Sequence, residues 1–180
     1  MRTSGKLAIA ILALAPTWAA AEVIDSSPNG FTVKLAVTIQ APPADVYQRL
    51  IHHVGDWWNS AHTFSGDAHN LSIEEKPMGC FCEKLPGGGS VRHMEVIYLA
   101  PGKGLGLNGA LGPMQTMAVA GSMRFQIFPM EGGSRLEVTY AVGGYLKAGL
   151  DTLAKLVDSV LLEQITRLKN YTEHGDPAPK

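Results

Sequence analysis

AGLDTLAKLVDSVLLEQITRLKNYTE, residues 148–173, is the stretch whose reading decides the fold. Its apolar residues recur at Leu150, Leu153, Val157, Val160, Leu161, Ile165 and Leu168. Steps of three, four and seven place them on one face of a helix. Asp151 with Lys155, and Glu163 with Arg167, are i, i+4 pairs of opposite charge that support it modestly. At ~1.5 Å per residue such a helix runs about 39 Å, long enough to lie across a whole sheet. The tail from Gly175 (GDPAPK) carries no such pattern, and residues 174–180 are expected to be disordered.

Upstream the period changes from 3.6 to 2. In FTVKLAVTI, residues 31–39, Phe31, Val33, Leu35, Val37 and Ile39 share one face, as in a half-buried strand. Pro42, Pro43 and Asp45 then open a short helix with Val46, Leu50, Ile51 and Val54 as its buried stripe. From residue 70 the chain reads as strands near 70–75, 80–85, 90–99, 104–108, 119–128 and 134–142, with Gly-Gly pairs at 87–88 and 132–133 where tight turns are expected. The order is one strand, short helices, six strands and a long terminal helix. That predicts an α+β domain over residues 31–173, a curved antiparallel sheet of about seven strands gripping the terminal helix, with residues 22–30 as an extension.

The N-terminus has a different purpose. Arg2 and Lys6 precede an apolar run, Leu7 to Ala15, and Ala19-Ala20-Ala21 offers a small-residue cleavage site. This is the pattern of a secretory signal peptide over residues 1–21, and the run is too short to span a bilayer. An exported chain beginning after Ala21, periplasmic or secreted, is expected. Removing Arg2 and Lys6 leaves 13 basic residues against 16 acidic ones, a formal charge of −3. With no basic run, nucleic acid is excluded as a partner, and no later stretch is apolar enough for a membrane span. Nothing points to a cofactor or to a particular oligomeric state.

The chemistry-bearing residues cluster in GCFCEKLPGGGSVRHME, residues 79–95. A two-residue turn at Gly87-Gly88 would face Cys82 with His93, Cys80 with Glu95 and Glu83 with Arg92. Cys80, Cys82, His93 and Glu95 would then share one strand face. A turn of another length would break that set. Two thiolates and an imidazole could hold zinc or copper. His93 could activate Cys82 as a nucleophile. The cysteines could form a disulfide, although i and i+2 of a flat strand lie ~6.5–7 Å apart, so that a bulge is needed. They could also act simply as small apolar residues. Trp57, Trp58 and His62 suit the mouth of a pocket or the cap of a core. Leu111, Met114 and Met117 in GALGPMQTM (109–117) read as a flap or as core, and GKGLGLNG (102–109) lacks the context of a nucleotide loop. Met123, Phe125, Tyr140, Leu153 and Val157 are the inner-face residues expected to border a cavity.

Together VTIQAPPADVYQRL (37–50), the tryptophan pair, GCFCE (79–83), GALGPMQ (109–115), GGSRLEVTY (132–140) and VDSVLLEQITRLKNY (157–171) resemble the START-like (SRPBCC) superfamily, in its exported bacterial members of polyketide cyclase/dehydrase and lipid-transport type. The resemblance covers nearly all of residues 31–171. It implies a helix-grip fold whose sheet and long helix enclose an apolar cavity for a lipid, polyketide or similar molecule. Non-enzymatic binding, with Trp57, Trp58, His62, Cys80, Cys82, His93, Tyr140 and the apolar residues above as contacts, is the first expectation. A cyclase or dehydratase using His93 and Glu95 as an acid–base pair is the second. A metal or thiol site at Cys80, Cys82 and His93 is the third.

Overall fold

The computed structural model describes residues 20–178, so the first nineteen residues of the expected leader lie outside the described residues. The elements are β1 (Ala20–Ser27), β2 (Gly30–Ile39), α1 (Pro43–His52), α2 (Val54–Trp57), β3 (Leu71–Ile73), β4 (Cys80–Lys84), β5 (Ser90–Ala100), β6 (Gly104–Gly109), β7 (Ala118–Met130), β8 (Gly133–Tyr145) and α3 (Asp151–His174). All eight strands form one sheet in the order β1-β2-β8-β7-β6-β5-β4-β3, and each neighbouring pair is antiparallel. The sheet curves around α3, which makes this a helix-grip fold.

The alternation in β2 is what buries it: Phe31, Val33, Leu35, Val37 and Ile39 are all buried. Opposite them stand Leu136, Val138, Tyr140 and Val142 of β8 and Met123, Phe125 and Ile127 of β7, all buried as well. Against this inner face α3 sets Ala154, Leu161, Ile165 and Leu168, with Leu150 buried just before its first turn. Gly175 ends α3 in the left-handed region at φ 73°, and its N–H returns to the Tyr171 carbonyl. α1 buries Val46, Tyr47, Leu50 and Ile51 with Asp45 in its first turn, and α2 carries Trp57 into the core.

The sheet has one strand more than expected, because residues 20–27 form β1 instead of an extension. AAEVIDSS has no clean alternation to betray a strand. It is held by the backbone ladder to β2, from Ala20 opposite Ala36 to Ser27 opposite Gly30, with a bulge between Val23 and Asp25. The expected cleavage point after Ala21 therefore falls in the first residues of this strand. Pro28, in the turn that follows, accepts from the Leu150 N–H and so fixes the start of α3.

Candidate functional site

The grip is filled at one end and hollow at the other. Where β2, β7 and β8 face α3 the interior is packed. Toward β4 and β5 the helix stands over a cavity of about 370 Å³. Leu153, Val157, Val160 and Leu161 of α3 roof it, Phe81 and His93 wall it, and Trp58, His62 and Phe64 border one side. Leu111, Met114 and Met117, around a 3-10 turn at Gly112–Thr116, close the other side. Phe64 and Leu156 border the cavity while remaining exposed.

Each border is tied to the scaffold by polar contacts that leave the cavity apolar. The Asn59 N–H donates to Gln164 of α3 at 2.8 Å, and Arg167 donates to the Trp57 carbonyl at 2.8 Å. The His62 ring meets Glu163 at 3.1 Å, and the Trp58 indole donates to the His62 carbonyl at 3.1 Å. Tyr140 holds the flap: its hydroxyl accepts from the Leu111 N–H at 3.2 Å and lies 3.5 Å from the Gly109 carbonyl. Burial pushes this hydroxyl up to about 12, the Leu111 bond offsetting part of the rise, so it stays protonated. Gly109, at φ 147°, is required here because a Cβ would stand 2.8 Å from the His93 carbonyl oxygen.

The wall holds a buried acid–imidazole pair. Glu83 is 0 % exposed and His93 5 %. His93 Nε2 lies 2.9 Å from Glu83 Oε2, and the carboxylate also accepts from the N–H groups of Phe64, at 3.1 Å, and Ser65. The other ring nitrogen, Nδ1, lies 3.0 Å from the side-chain amide nitrogen of Gln115. Burial alone would raise the Glu83 pKa, but hydrogen bonds from Ser65, Phe64 and His93 outweigh it and hold the carboxyl below its usual range. Burial lowers His93, with only partial compensation from Glu83, so the ring is neutral near pH 7.

Both shifts act in one direction. The unfolded chain takes up these protons more readily than the folded one, so stability falls as pH falls. For His93 the loss begins below the ordinary imidazole value of 6.5, and for Glu83 it begins below 4.5. Thermal melts across pH should thus show a melting temperature that declines below 6.5 and declines further below 4.5. His93→Gln, which keeps a donor toward Glu83 but does not titrate there, should flatten the first part. Parallel profiles for wild type and variant would contradict this.

The register between β4 and β5 corrects the expected cluster. The connection is not a two-residue turn: residues 85–89 form the loop, with Gly87 and Gly88 both at positive φ, and Lys84 pairs with Ser90. Cys82 consequently pairs with Arg92, not His93. Beyond a bulge the pairing becomes Phe81 with Met94 and Cys80 with Glu95. His93 is the extra residue of that bulge, so both His93 and Met94 point inward. His93 therefore leaves the cysteine face and joins Phe81 and Glu83. Arg92 pairs with Glu95 at 3.1 Å across the bulge instead of with Glu83, so Glu95 is not the partner of His93.

Cys80 and Cys82 form a disulfide, with their Cα atoms 5.2 Å apart. That is shorter than the ~6.5–7 Å of a flat strand, and the contraction lies opposite the bulge. Bonded to each other, they are neither a free nucleophile nor a pair of metal ligands. Among the described residues no group of three or more His, Cys, Asp or Glu side chains is placed to hold a metal ion.

Of the residues singled out in the sequence, Trp58, His62, His93, Met114, Leu153 and Val157 line the cavity. Trp57, Met123, Phe125 and Tyr140 do not line it and are packed in the core. Cys80 and Cys82 also lie off the cavity. Glu83 and Gln115 were missed. Glu83 had a signal, since it lies two residues from Phe81 on a strand and so shares the face that must be buried. Gln115 had none, because its contact depends on the bulge.

No family model and no curated protein matches this chain. Solved structures do. A protein from Rhizobium leguminosarum aligns at TM-score 0.59 and 18% identity over 87% of this chain and 99% of its own. The Aha1 dimer from Colwellia psychrerythraea gives TM-score 0.56 and 20% identity over 80% and 97%. CalU16 from Micromonospora echinospora gives TM-score 0.54 and 14% identity over 92% and 88%. At these identities the likeness establishes the helix-grip fold and nothing about ligand or activity.

Proposed function

We propose that this helix-grip protein binds or carries an apolar small molecule, of lipid or polyketide type, between α3 and the β4–β5 side of the sheet. The observation that carries this reading is the cavity of about 370 Å³, lined mainly by aliphatic and aromatic side chains, with the His93 ring, backed by Glu83, in its wall. Burial of the ligand's apolar surface supplies the affinity, and His93 sets its orientation. The disulfide and the leader-like residues 1–21 support an exported protein, since such bonds persist in oxidising compartments. Among the described residues no helix is long and apolar enough to cross a membrane.

Native mass spectrometry of protein purified from its own host tests the proposal. A co-purified organic mass is expected, and titration with an apolar probe should give a negative heat-capacity change. A bare protein that also binds no apolar probe would sink the reading. The buried pair favours a second one, a cyclase or dehydratase in which Glu83 stands where Glu95 was expected. In that case His93→Gln would abolish turnover while the ligand still bound.

A further inference from the structure

His93 borders two hollows. On one side is the apolar cavity; on the other is a polar hollow of about 350 Å³ bounded by Arg92, Glu95, Asn108 and Gln115. Its ring nitrogens are held in unlike ways. Glu83 is an acceptor, so Nε2 carries the hydrogen and Nδ1 carries the lone pair. That lone pair meets the Gln115 amide, whose nitrogen is the donor. Glu83 is fixed by two backbone N–H groups besides the ring, whereas Gln115 sits on the flap and lines the polar hollow. The other polar tips bordering the cavity are engaged within the protein: Trp58 with the His62 carbonyl, His62 with Glu163, and Thr63 with the Ser60 carbonyl.

We propose that His93 Nδ1 recognises the hydroxyl group of an apolar ligand, such as a phenol or alcohol, whose O–H takes the place of the Gln115 amide. This rests on the apolar-ligand reading and adds the chemistry of the head group. The exchange replaces one donor by another at the ring, and the released amide turns into the polar hollow. An ether or ketone brings only lone pairs to a lone pair and gains nothing. The head group is thereby selected as a donor, and the apolar body fills the space beneath α3.

The test compares 2-naphthol with 2-methoxynaphthalene, which share an apolar body and differ in the donor. In the wild type the ring's hydrogen bond is exchanged and not added, so the naphthol should bind severalfold more tightly. Where the bond is gained outright, one net hydrogen bond corresponds to about tenfold. Gln115→Ala should raise that ratio, because no amide has to be displaced. His93→Phe, once thermal melting shows it folded, should bring the ratio to one. Equal binding of both compounds by the wild type, or a preference that survives His93→Phe and ignores Gln115→Ala, would overturn the inference alone. If neither compound binds, the apolar-ligand reading fails and this inference fails with it.

Discussion

Glu83→Ala should lower the stability of the fold by ~3 kcal/mol or more, since each buried donor left without an acceptor costs ~1–3 kcal/mol. The carboxylate lies wholly inside and accepts from His93 and from the backbone N–H groups of Phe64 and Ser65. Alanine would leave three donors without acceptors in a wall otherwise made of Phe81, Trp58 and Leu71. The segment from Trp58 to Ser65, which reaches the sheet at this point, would lose its polar anchor there. Glu83→Gln keeps one oxygen and should cost less. Equilibrium denaturation in urea measures both, and a loss below ~1 kcal/mol for the alanine variant would show that water replaces the carboxylate.

Val157→Trp should abolish most ligand binding while leaving the fold standing. Val157 lies on the cavity side of α3 and is only partly buried, so a larger side chain there has a void to enter. The indole would take the volume and apolar contacts otherwise available to the ligand. Forfeiting ~3 kcal/mol of apolar burial corresponds to a Kd weaker by about a hundredfold. The melting temperature should stay near that of the wild type, because α3 keeps its contacts through Ala154, Leu161, Ile165 and Leu168. Fluorescence titration with an apolar dye reads the first effect and calorimetry the second. Undiminished binding in the variant would place the ligand elsewhere.

These expectations differ in how far residue order alone supports them. The alternation in 31–39 and the helical period in 148–173 are statements about which face is buried, and burial is what the fold obeys. β1 escaped because its stability lies in backbone hydrogen bonds, to which side-chain type is nearly indifferent. For the cavity, periodicity names the inner face but not the volume left over. Val157 and Leu153 are thus indistinguishable in sequence from Ala154 and Ile165, and Met123, Phe125 and Tyr140 looked as eligible as Met114. The His93–Glu83 pair depended on a single extra residue in β5. One bulge moves a side chain from one face to the other, and the loop length that sets the register is not written in any hydrophobic pattern.

The pairing of β2 with β8 has a consequence for how the chain becomes a protein at all. Phe31 lies opposite Val142, and Ile39 opposite Ser134, so the central seam joins segments about a hundred residues apart, a long loop to close before any contact rewards it. While the chain is being made, β2 lacks its second neighbour until the last strand, β8, has emerged. Pairing of this long range favours slow folding. The sheet cannot be completed before β8 has been made, so its central seam is the last part of the order to become available.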